Sequence, residues 1–168
     1  MKKLLLAPIL TLASFTGGGL PPESGVVAVK VAEVPGYTEG VVIDAAGVIY
    51  ISDVYNGTIY RVGSDGRATA WAVTGAPNGH KILADGTHLV CDGSQHAVLR
   101  LDAAGKIMGK ASSECDGKPL RAPNDLTLDP RGGFYFTDPG GEQERVSKLA
   151  LTLCPFTPPA PLRETSSP

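Results

Sequence analysis

The chain has 168 residues, with 15 Lys and Arg against 17 Asp and Glu, so its formal charge is −2. This length fits about one domain, and the near-neutral charge without a long basic run argues against a binder of nucleic acid or anionic membrane surfaces. The 42% hydrophobic content excludes wholesale disorder, and the 21 glycines and 14 prolines favour a turn-rich, all-β protein.

Residues 1–19 are predicted to be a secretory signal peptide. Lys2 and Lys3 precede an apolar stretch at 4–15, whose length suits the core of such a signal and falls short of the roughly 20 residues of a membrane span. We therefore expect no membrane span and a periplasmic or secreted protein, or a cytoplasmic one if the apolar segment is not a signal.

Three segments, 39–53, 78–92 and 124–138, share one pattern. Each begins with a polar residue that carries a side-chain carbonyl, runs through two apolar strands separated by a glycine turn, and ends with an aspartate. Their starts are 78 − 39 = 39 and 124 − 78 = 46 residues apart, a period typical of β-propeller blades, which are four-stranded antiparallel sheets. Further strands are predicted at 57–62 and 68–73, and again at 96–101 and 106–110.

The third unit shows only its first two strands, and the pattern ends near Gly141. We expect residues 20–141 to form a partial propeller of about two and a half to three blades, whereas closed propellers have roughly four to eight. Residues 142–168 become rich in proline and predict a disordered or loosely attached tail. This abrupt change also favours a frameshifted or fragmentary reading frame.

The repeat predicts that three polar side chains converge. Glu39, Asn78 and Asn124 stand at the entry of the first strand of successive units, and in a propeller this strand lines the central channel. One carboxylate and two amide oxygens are hard ligands that suit Ca²⁺, Mg²⁺ or a similar ion. Each residue alone is better explained as a partner of turn amides, but the common position of all three favours a shared site. Asp125 either supports Asn124 as a ligand or accepts a hydrogen bond in the turn.

The remaining polar candidates have mainly structural interpretations. Asp53, Asp92 and Asp138 follow the second strand of each unit, where an Asx turn would satisfy loop amides. His80 either points into the channel as a general base or packs as a strand residue.

Cys91, Cys115 and Cys154 show no zinc-binding spacing. They allow a Cys91–Cys115 bridge in an oxidising compartment, or separate buried thiols.

The sequence around these positions resembles the gluconolactonase/regucalcin family, of the senescence marker protein type. The resemblance spans about residues 30–141. It rests on the stretches at 37–40, 49–53, 77–79 and 134–139, and above all on D-G-K-P-L-R-A-P-N-D at 116–125.

This resemblance implies a six-bladed propeller with one divalent cation in the channel and an enzyme that hydrolyses sugar lactones. Ca²⁺ is the first expectation, with Zn²⁺, Mg²⁺ and Mn²⁺ as alternatives. Glu39 and Asn124 would be metal ligands, and Asn78 would hold the substrate or a water on the metal. His80, two residues after Asn78, is a further candidate for binding the substrate.

The sequence departs from the family at two points. The family's third ligand, an aspartate from a later blade that also acts as the base, has no counterpart, so no catalytic residue is assigned and we expect little or no catalysis by the isolated chain. Ala76 stands where some members carry a substrate-binding arginine.

Three hypotheses follow for the function. The first is an incomplete sugar-lactone hydrolase. The second is a non-enzymatic β-repeat binding module that resembles the NHL-type propellers, which should be indifferent to chelator. The third is a homodimer in which two half-propellers pair through their open edges.

Overall fold

The computed structural model describes residues 26–140, which form strands and turns. The predicted signal segment and the predicted tail lie outside the described residues. Within the described part, no helix is long and apolar enough to cross a membrane.

Two four-stranded antiparallel sheets form the first two units, with their strands paired in chain order. The strands of the first sheet are β1 (Thr38–Ile43), β2 (Ile49–Asp53), β3 (Thr58–Val62) and β4 (Ala68–Val73). Those of the second sheet are β5 (Pro77–Ile82), β6 (His88–Asp92), β7 (Ala97–Leu101) and β8 (Ile107–Ser112). The all-β class and the blade-like units expected from the repeat are confirmed.

The third unit contributes the pair β11 (Leu126–Leu128) and β12 (Phe134–Phe136) to the described structure. Before it, β9 (Glu114–Cys115) and β10 (Lys118–Pro119) form a short hairpin that the sequence pattern did not predict. Strands of two residues are too short to show an alternation of apolar and polar side chains.

The second sheet lies between two hydrophobic cores, so all five residues of β6 are buried. Side chains of a strand alternate between the two faces of a sheet. Val90 accordingly packs in the core shared with the first sheet, whereas Leu89 and Cys91 pack in the core shared with the third unit. Each fully buried Leu or Val side chain contributes about 1.5–3 kcal/mol to folding, and β6 contributes on both faces.

The aspartates that end the second strands organise the loops that follow them. Asp53 accepts hydrogen bonds from the backbone amide and the side-chain amide of Asn56. Asp92 is fully buried and accepts from the amide of Ala76, which precedes β5. Asp92 also accepts from the amides of Ser94 and Gln95 and from the hydroxyl of Ser94. Asp138 accepts from the amides of Arg121 and Ala122. The predicted structural role of these aspartates is confirmed.

The cysteines differ from both sequence-based alternatives. Cys91 is a free thiol, fully buried in β6, and burial raises the pKa of this thiol well above its usual range. Cys115 takes part in a disulfide. Because Cys91 is free and Cys115 is disulfide-bonded, the Cys91–Cys115 bridge is not formed and the thiols are not all separate.

Three apolar side chains of the first sheet are exposed. Val41 and Ile43 on β1 are each 62% exposed, and Val73 on β4 is 73% exposed. An open cavity of about 710 Å³ lies between β8 and the turn that joins β11 to β12. Its apolar lining includes Leu89, Met108 and Phe134.

Candidate functional site

A β-bulge in β1 brings Glu39 close to the second unit. The strand register shifts between Glu39 and Val41, and Gly40, at the bulge, has a φ of 40°. A Cβ on Gly40 would lie 1.9 Å from the backbone oxygen of Asn78. The two first strands can approach this closely because residue 40 has no side chain.

The same arrangement recurs between the second and third units. Gly79, within a bulge of β5, donates its backbone amide to the carbonyl of Asn124 over 2.7 Å. A Cβ on Gly79 would lie 2.6 Å from the Cα of Asp125. The glycines that follow Glu39 and Asn78 therefore each contact the next unit's polar segment. These two contacts bring the backbones of the three predicted segments side by side.

The three predicted side chains differ in exposure. Glu39 and Asn78 are half-buried, and Asn124 is exposed. The hydroxyl of Tyr37 donates a hydrogen bond of 3.0 Å to Oε1 of Glu39, and this bond is the main cause that raises the pKa of Tyr37. No sequence pattern predicts a role for Tyr37, although its position two residues before Glu39 puts both on the same side of an extended segment.

Asp125 accepts a hydrogen bond of 2.8 Å from the amide of Leu126. Its Oδ1 also lies 3.9 Å from Nζ of Lys81, an exposed ion pair. The structure therefore shows Asp125 as a turn acceptor, and its support for Asn124 as a ligand stays a prediction.

The donor set of these segments suits a hard divalent cation. It combines one half-buried carboxylate, that of Glu39, with the side-chain amides of Asn78 and Asn124, and oxygen donors of this kind are what Ca²⁺ and Mg²⁺ bind. Residues 26–140 contain no group of three or more His, Cys, Asp and Glu close enough to hold a metal. Any site here would therefore depend on the asparagine oxygens as well as Glu39.

His80 lies in the core between the first two sheets. Its ring is fully buried, its Nε2 lies 2.7 Å from Nδ1 of His88, and its own Nδ1 has no hydrogen-bond partner. Tyr50 and Trp71 surround the two imidazoles, with ring centroids 4.6–6.2 Å away. The ring thus lies where the packing interpretation placed it. A role of His80 in binding substrate stays a prediction, and it would require the ring to become exposed.

Burial lowers the pKa of both histidines. It is the largest cause for His80, whose pKa falls to about 3, and the neighbouring His88 and Lys81 lower it further. Burial also lowers the pKa of His88, although the nearby Asp44 carboxylate acts in the opposite direction. Both rings are therefore neutral at physiological pH.

The repeated antiparallel sheets and the contacts between their first strands place the protein in the class of propeller-type β-repeat proteins. The model of the SMP-30/Gluconolactonase/LRE-like region family matches residues 37–154, more than half of the chain. The chain belongs to this family.

Individual relatives agree with this assignment. The gluconolactonase of Zymomonas mobilis is 34% identical over 62 residues, which are 37% of this chain and 17% of that protein. The solved structure of a gluconolactonase from Xanthomonas campestris matches with a TM-score of 0.61 at 26% identity, over 66% of this chain and 37% of that one. Virginiamycin B lyase from Staphylococcus aureus, at 19% identity and a TM-score of 0.51 over 61% of this chain and 34% of that one, shows the fold alone. The chain thus spans less than half of the length of these relatives.

Gly79→Ala should destabilise the protein by about 2–3 kcal/mol, because the added methyl group would meet backbone atoms of the third unit that cannot move freely. Gly93→Ala is the matched control, since a Cβ there would approach no atom closer than 3.8 Å. Neither glycine has a positive φ. Urea unfolding of both variants would measure the difference, and equal stabilities would contradict the tight contact.

The His80–His88 pair should make the protein less stable in acid. A pKa lowered from 6.5 to about 3 in the folded state means that stability is full above pH 6.5 and falls as the pH drops toward 3, with about 2 kcal/mol lost at about pH 5. Urea unfolding followed by the fluorescence of Trp71, the single tryptophan, would measure this loss.

The double variant His80→Leu/His88→Leu removes both imidazoles and leaves neither partner unpaired. It should lose most of this acid sensitivity. The same pH slope in the wild type and the double variant would show that other groups cause it.

Proposed function

We propose that the chain carries part of the active site of a divalent-metal-dependent sugar-lactone hydrolase of the gluconolactonase type. The observation that carries this proposal is the pair of glycine contacts, Gly40 with Asn78 and Gly79 with Asn124 and Asp125. These contacts support the proposal because they bring the backbones near the three polar residues together, in a chain that belongs to the gluconolactonase-like family.

In this proposal Glu39 and Asn124 hold the cation. Asn78, from the middle unit, orients the lactone. A bound divalent cation would supply Lewis-acid polarisation of the lactone carbonyl. The carboxylate of Glu39 carries the negative charge of the set, which compensates the cation. No residue is assigned as the base, so we expect the isolated chain to hydrolyse lactones weakly or not at all.

The test is a Ca²⁺ titration of the full chain, followed by thermal melting with and without chelator. We expect Ca²⁺ to raise the melting temperature of the wild type, because binding to the folded state stabilises it. Glu39→Gln should abolish most of this shift. Glu114→Gln, the same change at an exposed position on β9, should leave it intact.

A melting temperature that is indifferent to Ca²⁺ and chelator would contradict the proposed metal site. It would favour the non-enzymatic binding module. Lactone hydrolysis, measured with a pH indicator on gluconolactone with and without chelator, would then decide whether any metal-independent activity remains.

We further propose that two copies of the chain cover each other's uncovered surfaces. Support comes from the exposed Val41, Ile43 and Val73 on the first sheet and from the apolar cavity beside β8. The match covers 37% of the Xanthomonas structure, so two copies would correspond to 2 × 37% = 74% of the length of such a relative. Exposed apolar surface is common at protein–protein contacts.

Light scattering on the eluting protein should give about twice the 17.4 kDa of one chain. Val41→Lys/Ile43→Lys should shift the mass to that of a monomer, because lysines would be buried against an apolar partner. Ala45→Lys/Ala46→Lys adds the same charge on the adjacent exposed turn and should leave the dimer intact. A monomeric wild type would overturn this proposal.

We propose export to an oxidising compartment as the location. The disulfide of Cys115 supports this, because cytosolic reductants keep most thiols reduced.

A further inference from the structure

We propose that Tyr37 is a positioning residue, which orients the carboxylate of Glu39 for a divalent cation. This inference rests on the proposed function and adds a residue to it. The phenol hydroxyl donates to Oε1 over 3.0 Å, which fixes one carboxylate oxygen and leaves Oε2 for the cation. Carboxylates that bind metals are commonly held by such hydrogen bonds from outside the ligand set.

The ring of Tyr37 is itself held in place. It stacks on the ring of Tyr55, with centroids 5.2 Å apart and an interplanar angle of 26°. The backbone carbonyl of Tyr37 accepts a hydrogen bond of 2.9 Å from the amide of Val54. Val54 and Tyr55 both lie in the turn after β2. Together they fix the position of Tyr37 and therefore the position of its hydroxyl group.

A buried carboxylate fixes the chain just before Tyr37. Gly36 has a φ of +84°, and a Cβ there would lie 2.4 Å from Oδ1 of Asp53. Asp53 is fully buried and bound to Asn56. The path of the backbone into Tyr37 is therefore constrained by the close fit of Gly36, in its left-handed conformation, against Asp53.

Comparison of the three units shows where a hydroxyl partner is present. Tyr37 precedes Glu39 by two residues, whereas Ala76 and Ala122 stand at the same distance before Asn78 and Asn124. The only carboxylate among the three polar residues is thus the one that has a phenol partner. A carboxylate has two equivalent oxygens and no donor of its own, so a donor on one oxygen selects its orientation, whereas an amide has a single oxygen to present.

The test uses the full chain and Ca²⁺ alone, with affinity measured by isothermal titration calorimetry. Tyr37→Phe keeps the stacked ring and removes the hydroxyl, and we expect it to bind Ca²⁺ about tenfold more weakly. Tyr55→Phe is the matched control, because it removes a hydroxyl from the other ring of the same stack. It should bind Ca²⁺ as the wild type does.

A double-mutant cycle separates positioning from a general structural effect. If Tyr37 acts through Glu39, then Tyr37→Phe/Glu39→Gln should bind no more weakly than Glu39→Gln alone. Additive losses would overturn the inference, as would equal losses in Tyr37→Phe and Tyr55→Phe.

The two proposals can fail separately. Wild-type binding that Tyr37→Phe leaves unchanged would overturn the role of Tyr37 and leave the metal site standing. A wild type that binds no Ca²⁺ would overturn the proposed metal site, and the role of Tyr37 with it.

Discussion

The close contact of successive first strands is the constraint on which the rest of the described structure depends. Gly40 and Gly79 each lie where any side chain would meet backbone atoms of the next unit. This contact sets the spacing between the units, which the two hydrophobic cores then fill. It also brings the backbone of the polar residue before each glycine close to that of its counterpart in the next unit.

The buried polar groups show how this packing is made compatible with polar side chains. Asp53 and Asp92 are fully buried, yet their oxygens accept hydrogen bonds from loop groups, so little polar surface is left unsatisfied. Three buried side-chain atoms of the described residues have no hydrogen-bond partner, namely Oγ of Ser52, Oγ1 of Thr74 and Nδ1 of His80. Of these three residues, His80 is the titratable one. Its neutral state is the one that the apolar surroundings tolerate, and this makes the core between the first two sheets sensitive to acid.

Much of the fold could be predicted because its signals are local. Alternating apolar residues and glycine-containing turns predicted eight strands in the first two units. The aspartates at 53, 92 and 138 predicted the turns that follow the second strands. The β9–β10 hairpin was missed because its strands are too short to carry a pattern. The Cys91–Cys115 bridge was wrong as an alternative because pairing depends on which side chains meet in space. The role of Tyr37 was not predicted because neither composition nor repeat spacing indicates a hydrogen bond between its hydroxyl and Glu39.

The sequence by itself determined the repeat, the order of the strands and the family, because residue spacing and short motifs are enough to identify each of them. Only the tertiary structure decided that His80 is enclosed with His88, that Gly79 meets Asn124 and that the middle sheet is buried on both faces. These features join residues from different strands or units. Their energies depend on the burial and approach of side chains, which exist only once the sheets have packed.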